Sequence, residues 1–376
     1  MKKAVFIPDS FKGTLSSGEI CRIMEQAVLR HYPDCEVHSI PVADGGEGSV
    51  DAFLAALGGE KIYTQVCGPY LEPMRGFYGL IGQTAVIEMA ACAGLPLVGE
   101  KKNPALTSTY GVGELMLHAA KSGAKKIVMG LGGSATNDGG CGAAAATGVK
   151  FYDAEGKSFI PTGGSLCNIA GIDMSGLAPQ LKDIEIVTMC DIDNPMYGPR
   201  GAAYIFGPQK GADEEMVRML DGNLRHLGEI IKRDLGMDLT GIPGGGAAGA
   251  MGVGMAAFFG SKLQMGIETV LDTVGFDSLA AGADCVFTGE GKIDSQSLRG
   301  KVVIGVARRA KKLNVPVIAI VGGAELEMDA AYAEGVSAIF TINRLPMELK
   351  DSAKDSGKNL AFVMDNILRL KTSCIR

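Results

Sequence analysis

The sequence predicts an α/β protein of two domains. A doubly wound parallel-sheet (Rossmann-like) domain is built from both chain ends, residues 1–60 plus 281–376, and a second, mixed α/β domain is inserted over 61–280. Three observations carry this expectation. Both ends alternate short continuous apolar runs with helical patterns, as strands covered on two faces do. The middle has closely spaced strand patterns followed by Gly- and Ala-rich helices. The length of 376 residues also exceeds the ~150 of one ordinary domain.

Ala4 to Ile7 is the first buried strand, and it opens into PDSFKGTLSS (8–17). Ser16-x-x-Glu19 is a capping box, with Ile20, Ile23, Met24, Ala27 and Val28 following at helical spacing. A strand over Val37 to Val42 passes through DGGEG (44–48) into a helix carrying Val50, Phe53, Leu54 and Leu57. Lys61 to Val66, Gly76 to Ile81 and Ala85 to Met89 are short strands with brief links, which implies antiparallel pairing. Lys126 to Met129, Glu185 to Met189 and Ala202 to Phe206 read as isolated strands. Cys285 to Thr288, VPVIAIVGG (315–323) and VSAIFTI (336–342) are buried strands of the C-terminal part. Between the first two, GEGKIDSQSLRGK (289–301) is a long loop. The helix after it ends in Arg308, Arg309, Lys311 and Lys312, the sign its C-terminal dipole favours.

Composition excludes several classes. Lys plus Arg total 36 against 42 Asp plus Glu, a net charge of −6, which argues against a nucleic-acid-binding face. Nine Cys without a C-x-x-C pair read as reduced, mostly buried thiols, and the four His have no zinc spacing. No apolar run approaches the ~20 residues of a membrane span, and the apolar stretch before Pro8 is too short for a signal peptide. A cytoplasmic protein with neither nucleic-acid nor membrane partners is expected. Glycine is the outlier: 54 of 376 residues, about twice the usual ~7%, so many tight turns or close backbone approaches are expected.

A Walker A loop is absent: Gly156-Lys157-Ser158 has Phe151 where the first glycine is required. GLGGSATNDGGCG (130–142) instead joins a strand to an Ala-rich helix, so its N–H groups, with Ser134, Thr136 and Asn137, suit an anion, and Asp138 a cation. The same stretch satisfies G-x-G-x-x-A through Gly130, Gly132 and Ala135, with Asp153 downstream, so an NAD-dependent oxidoreductase competes. PDSFKGTLSS offers Ser10 and Lys12, and PVADGGEGS (41–49) offers Asp44 and Glu47, at strand-to-helix turns. CDIDNPMYGPRGAAYIFGPQKGA (190–212) places Asp191 after a strand, with Asn194 in a turn; Arg200 and Lys210 are candidate anion partners, although a solvated charge is the more ordinary state of each. The 288–301 loop packs Glu290, Lys292, Asp294, Gln296, Ser297, Arg299 and Lys301 together, more polar groups than a link needs. GIPGGGAAGAMGVG (241–254) reads as a close-packed, glycine-rich helix entry.

These stretches, in this order, resemble bacterial glycerate kinases of the first type over nearly the whole chain. The resemblance implies two α/β domains with a cleft between them, and phosphorylation of D-glycerate by ATP with Mg²⁺, usually at the 2-hydroxyl to give 2-phospho-D-glycerate. Cys141 and Ala143 depart from it, standing where the family often has further glycines.

Such chemistry needs positioning and charge neutralisation. On a net acidic chain the positive field must be local, from Lys12, Arg200, Lys292, Arg299 and Lys301. Mg²⁺ takes one or two carboxylates plus phosphate oxygens and water, and Asp191, Asp44 and Glu290 are the candidate ligands. Asp191 is the expected base for the glycerate hydroxyl, Lys12 the stabiliser of transferring charge, and Asp294 the second choice of base. Ser10, Asp44, Gly132, Gly133, Ser134, Thr136, Asn137, Asp138, Asn194, Arg200, Glu290, Lys292, Gln296, Ser297 and Lys301 are the expected substrate- or nucleotide-binding residues. The GLGGSATND loop holds nucleotide phosphates or substrate. Stretches near 12, 44, 134, 191 and 294 are expected to meet around one crevice. The 2- or 3-hydroxyl as acceptor, and monomer or homodimer as assembly, stay open.

Overall fold

Unpaired backbone groups of a strand must find partners, and the N-terminal strand Lys3–Pro8 finds them on both sides. It pairs in parallel with Cys285–Gly289 and with Glu36–Ser39. The computed structural model describes residues 1–11, 13–42, 45–294, 297–325, 327–344 and 353–373. The chain divides into two compact units. Met1–Ala43, Ala55–Leu57 and Met265–Arg376 form the first, and Asp44–Leu54 with Gly58–Gln264 form the second. The sequence reading sets these junctions near 60 and 280.

The first unit holds a five-stranded sheet in the order Val336–Thr341, Val317–Val321, Cys285–Gly289, Lys3–Pro8, Glu36–Ser39, every pairing parallel. In chain order this is 2-1-3-4-5, the flavodoxin-type variant of a doubly wound sheet. Ala4 and Phe6 pack with Ile20, Met24 and Val28 of the helix Ser17–His31 and with Leu360, Met364 and Leu368 of the helix Ser356–Ser373. Val5 and Ile7, equally buried, point to the opposite face. The first helix begins on the expected capping box: the Ser16 hydroxyl accepts from Glu19 N at 3.3 Å and Ser16 N donates to Glu19 Oε2 at 2.9 Å. The strand over Val37 to Val42 is regular only over Glu36–Ser39. Beyond it Ile40 N still donates to Phe6 O at 2.8 Å and Val42 N to Pro8 O at 3.3 Å.

The second unit holds a six-stranded sheet in the order Lys262–Gln264, Glu185–Met189, Lys126–Gly130, Thr84–Glu88, Pro73–Ile81, Glu60–Cys67. The first four strands run parallel and the last two pair antiparallel, as the three short strands led one to expect. Its register sets Glu88 beside Gly130, Gly130 beside Met189, and Met189 beside Gln264. The loops leaving these strands therefore start side by side. Ala202–Phe206, expected as a strand, is a short helix. A five-residue apolar run does not select a period by itself, and the edge of Glu185–Met189 is paired with Lys262–Gln264. Among the described residues no helix is long and apolar enough to cross a membrane, and the cysteines are free thiols, most of them buried.

Candidate active site

In the second unit the glycines bring two loops backbone against backbone. Gly132 N donates to Gly45 O at 3.0 Å. A Cβ on Gly132 would lie 2.5 Å from Gly46 Cα, and one on Gly130 would lie 2.3 Å from Gly45 O. No other residue type allows that approach. The loop 45–48 and the loop 131–140 thus meet beside the end of Glu185–Met189. Glu88, buried at the end of the neighbouring strand, accepts from Val50 N at 2.7 Å and Gly48 N at 3.2 Å, fastening the start of the helix Ser49–Leu57. Burial raises its pKa, against the pull of those two N–H groups. Sequence reasoning missed Glu88, although an acid closing the apolar strand TAVIE was its signal.

The helix after the 131–140 loop spans only Cys141–Ala146, so the loop's chemistry rests on its own groups rather than on a macrodipole. Asp138 is fully buried. Its Oδ2 accepts from Thr109 N at 2.7 Å, Thr109 Oγ1 at 2.8 Å and Gly142 N at 3.2 Å, while Oδ1 accepts from Gly140 N at 3.2 Å. Burial raises its pKa and the Thr109 bonds oppose the shift. Asp138 thereby shapes the loop. Lys210, expected as a solvated charge, is instead 2% exposed. Its Nζ donates to Ser134 Oγ at 2.8 Å and to Thr136 O at 2.6 Å, and burial lowers its pKa to about 7. Thr136 and Asn137 are fully buried, yet Thr136 Oγ1, Asn137 Nδ2 and Asn137 Oδ1 have no hydrogen-bond partner among the described residues. Ser134 is nearly buried, Gly132 half-buried and Gly133 exposed, so the loop faces solvent only through its glycines. Gly249, with φ +67°, presses against the loop: a Cβ there would lie 2.1 Å from Thr136 O.

Asp191 is exposed in the loop leaving Glu185–Met189, after Cys190 N donates to Gln264 O at 2.9 Å. Asn194 Nδ2 donates to Arg200 O at 2.8 Å and its carbonyl accepts from Gly246 N at 2.9 Å, so Asn194 braces its own loop. Arg200 is exposed and reaches Asp193 at 3.6 Å.

In the first unit, strand order reverses between Lys3–Pro8 and Cys285–Gly289, the place where open α/β sheets bind ligands outside the carboxyl ends of their strands. Asp9, Ser10 and Glu290 follow those two ends. Asp9 N donates to Gly289 O at 2.8 Å, and Ser10 N to Asp9 Oδ1 at 2.7 Å. Glu290 is 5% exposed, and its Oε1 has no partner among the described residues. Burial pushes its pKa up to about 7; the Ser297 hydroxyl and Lys301 oppose the rise, while Asp9 and Asp294 add to it. Ser297 N donates to Asp294 Oδ1 and Asp294 N to Ser297 Oγ, each at 3.2 Å. Lys292 is exposed and pairs with Glu325 at 3.2 Å and with Asp294 at 3.6 Å. Lys301, also exposed, caps the helix Val302–Lys312. Lys12, Asp44, Gln296 and the Arg299 side chain lie outside the described residues.

The dinucleotide reading does not survive this geometry. After Cys141–Ala146 the chain enters Lys150–Tyr152, in a separate three-stranded sheet whose pairings are antiparallel, rather than a parallel neighbour of Lys126–Gly130. Asp153 Oδ1 accepts from Lys157 N at 2.8 Å and Glu155 N at 3.1 Å, a turn brace. A β-strand, helix, parallel β-strand unit is what the fingerprint requires.

Known proteins agree with the kinase reading. The glycerate kinase family model matches residues 4–372. The chain is 45% identical over 368 residues to the glycerate kinase of Bacillus cereus, covering 97% of each chain. It is 44% identical over 368 residues to the glycerate 2-kinase of Escherichia coli K12, again covering 97% of each. The crystal structure of a Salmonella typhimurium LT2 protein assigned as glycerate kinase 2 matches with a TM-score of 0.87 at 41% identity, over 99% of this chain and 98% of that one. Motifs, fold and full-length similarity converge: the chain belongs to the glycerate kinase family and is a phosphotransferase acting on a hydroxyl group.

Proposed function

We propose that the protein is a cytoplasmic enzyme that transfers the γ-phosphoryl group of ATP, with Mg²⁺, to the 2-hydroxyl of D-glycerate, giving 2-phospho-D-glycerate. The observation that carries the reading is the stretch Ser134–Asp138, where a buried lysine ammonium and three unpartnered side-chain atoms sit inside a net acidic chain. Such a place suits a small polar anion. The 2-hydroxyl assignment is supported by the similarity to the E. coli protein named glycerate 2-kinase.

In this reading Asp191, an exposed carboxylate at a strand's end, orients the acceptor hydroxyl and takes its proton, with Asp294 as the second choice. Lys12 stabilises transferring charge, supported by Lys292, Lys301 and Arg200. Glu290, Asp44 and Asp191 are the residues that would hold Mg²⁺. Among the described residues no group of three or more His, Cys, Asp or Glu is placed to hold a metal ion. Mg²⁺ bound through nucleotide phosphates needs only one or two carboxylates, and the buried Glu290 Oε1, unpartnered among the described residues, fits that requirement. When bound, the ion neutralises charge on phosphate oxygens.

The test is incubation with ATP, Mg²⁺ and D-glycerate, followed by ³¹P spectroscopy of the product. ADP formation with a 2-phosphoglycerate resonance is expected, abolished by EDTA and restored by added Mg²⁺. A 3-phosphoglycerate resonance would overturn the acceptor assignment, and turnover in EDTA the metal requirement.

A further inference from the structure

We propose that Lys210, Thr136 and Asn137 seat the substrate's α-hydroxy-carboxylate end, with Lys210 as the counter-ion of its carboxylate, and that the Ser134–Asn137 stretch does not take nucleotide phosphate. This rests on the activity proposed above and decides which substrate the loop holds.

Three observations point the same way. First, Lys210 is 2% exposed yet bonded only to neutral acceptors among the described residues, Ser134 Oγ and Thr136 O. The nearby carboxylate, Asp138, already receives four donors from Thr109, Gly140 and Gly142. Asp138 favours the ammonium without bonding to it, burial outweighs that help, and an incoming carboxylate supplies a directly bonded counter-ion. Second, Thr136 Oγ1 and both amide atoms of Asn137 are buried and, among the described residues, unpartnered. Buried polar side-chain atoms are nearly always satisfied, so three together mark a missing ligand. Third, the chemistry of the set is mixed. Lys210, Thr136 and one end of the Asn137 amide donate, whereas the other end needs a donor. An α-hydroxy acid provides carboxylate acceptors and a hydroxyl donor together. Ionised nucleotide phosphate provides acceptors alone and leaves the Asn137 oxygen unsatisfied. The enclosure also favours a compact ligand: Gly249 lies against the stretch where a Cβ would approach Thr136 O to 2.1 Å.

The experiment uses the full chain with Lys210→Met, which removes the charge at similar volume, and Asn137→Asp, which places a negative charge against a carboxylate. Far-ultraviolet dichroism checks the fold. Kinetics give KM for D-glycerate and for ATP separately, and calorimetry gives direct D-glycerate binding. Each variant that folds is expected to raise KM and Kd for D-glycerate at least 30-fold while KM for ATP stays within about 3-fold. A folded variant with KM for ATP raised as much as that for D-glycerate, or with D-glycerate binding unchanged, overturns the inference. If Lys210→Met does not fold, Asn137→Asp decides alone. If neither folds, Asn137→Ser, which keeps a small polar group, decides by the same two numbers. A wild-type enzyme that fails to phosphorylate D-glycerate would instead refute the proposed function itself.

Discussion

Gly249→Ala and Gly156→Ala together isolate how much the 131–140 loop depends on the turn packed against it. Both glycines have positive φ, +67° at Gly249 and +76° at Gly156, so alanine suffers a similar left-handed penalty at each, about 1–2 kcal/mol. Gly156 lies in the turn after Asp153, with nothing within 4 Å of the place an alanine methyl would take. At Gly249 the added carbon would lie 2.1 Å from Thr136 O and 2.4 Å from Asn137 Cα, against an ordinary contact of 3.4 Å or more. Backbone must therefore move by about an ångström, and overpacking of that kind costs a further ~1–3 kcal/mol. At about 2–4 °C per kcal/mol for a domain of this size, Gly156→Ala should lower Tm by a few degrees and Gly249→Ala by roughly 5–15 °C. Because the displaced atoms belong to Thr136 and Asn137, kcat/KM should fall ~100-fold in Gly249→Ala and stay near wild type in Gly156→Ala. Thermal unfolding followed by dichroism, with steady-state kinetics on the same preparations, measures both. Equal Tm and equal kcat/KM for the two variants would refute the reasoning.

Other outcomes follow from single side chains. Glu88→Gln keeps the shape but turns an amide N–H₂ toward the N–H groups of Gly48 or Val50, so it should cost about 1–2 kcal/mol in urea unfolding, and wild-type stability would show the brace to be idle. Glu290, raised by burial from 4.5 to about 7, holds its proton longer in the folded chain than in the unfolded one; its stabilising contribution is present below pH 4.5 and lost as pH rises through about 7. Relative to Glu290→Gln without Mg²⁺, wild type should therefore lose on the order of 3 kcal/mol between pH 4.5 and 8, and a pH-independent difference in unfolding free energy would contradict this. Lys210, lowered by burial from 10.5 to about 7, has the opposite sign: stability is present above 10.5 and lost as pH falls through about 7, so Lys210→Met should gain on wild type from pH 9.5 down to 6. A stability difference that stays flat over that range would count against a Lys210 pKa lowered by burial.

What was legible in the sequence was what is local. The Ser16–Glu19 capping box closes within four residues, and its hydrogen bonds are those the spacing implies. The buried strands at both ends were legible because burial on two faces leaves continuous apolar runs. Strand order was not, because it is decided by contacts between residues about 280 apart, such as Ala4 beside Cys285. Ala202–Phe206 is a helix because a five-residue apolar run leaves the period open, and Lys262–Gln264 holds the edge of Glu185–Met189. Lys210 stands in a turn-rich stretch, where a solvated charge is the ordinary expectation. Its burial arises from Ser134 and Thr136, more than seventy residues earlier in the chain.

The pattern of satisfied and unsatisfied groups in one loop separates function from loose packing. Gly139 N reaches Gly249 O at 3.0 Å, and Asp138 receives four donors. To present that carbonyl, the chain adopts three successive left-handed residues, including Ala248 at φ 55° and Ala250 at φ 66°, each at about 1–2 kcal/mol. A fold that accepts such strain while satisfying a loop N–H and all of Asp138 has not simply neglected the neighbouring side chains. Thr136 Oγ1 and the Asn137 amide remain unpartnered within the same stretch, beside the buried Lys210 ammonium. Strain of this kind collects where binding requires groups held ready. On the proposed reading it also accounts for how a chain of net charge −6 takes a small carboxylate substrate: the positive charge that meets it is placed where water does not screen it.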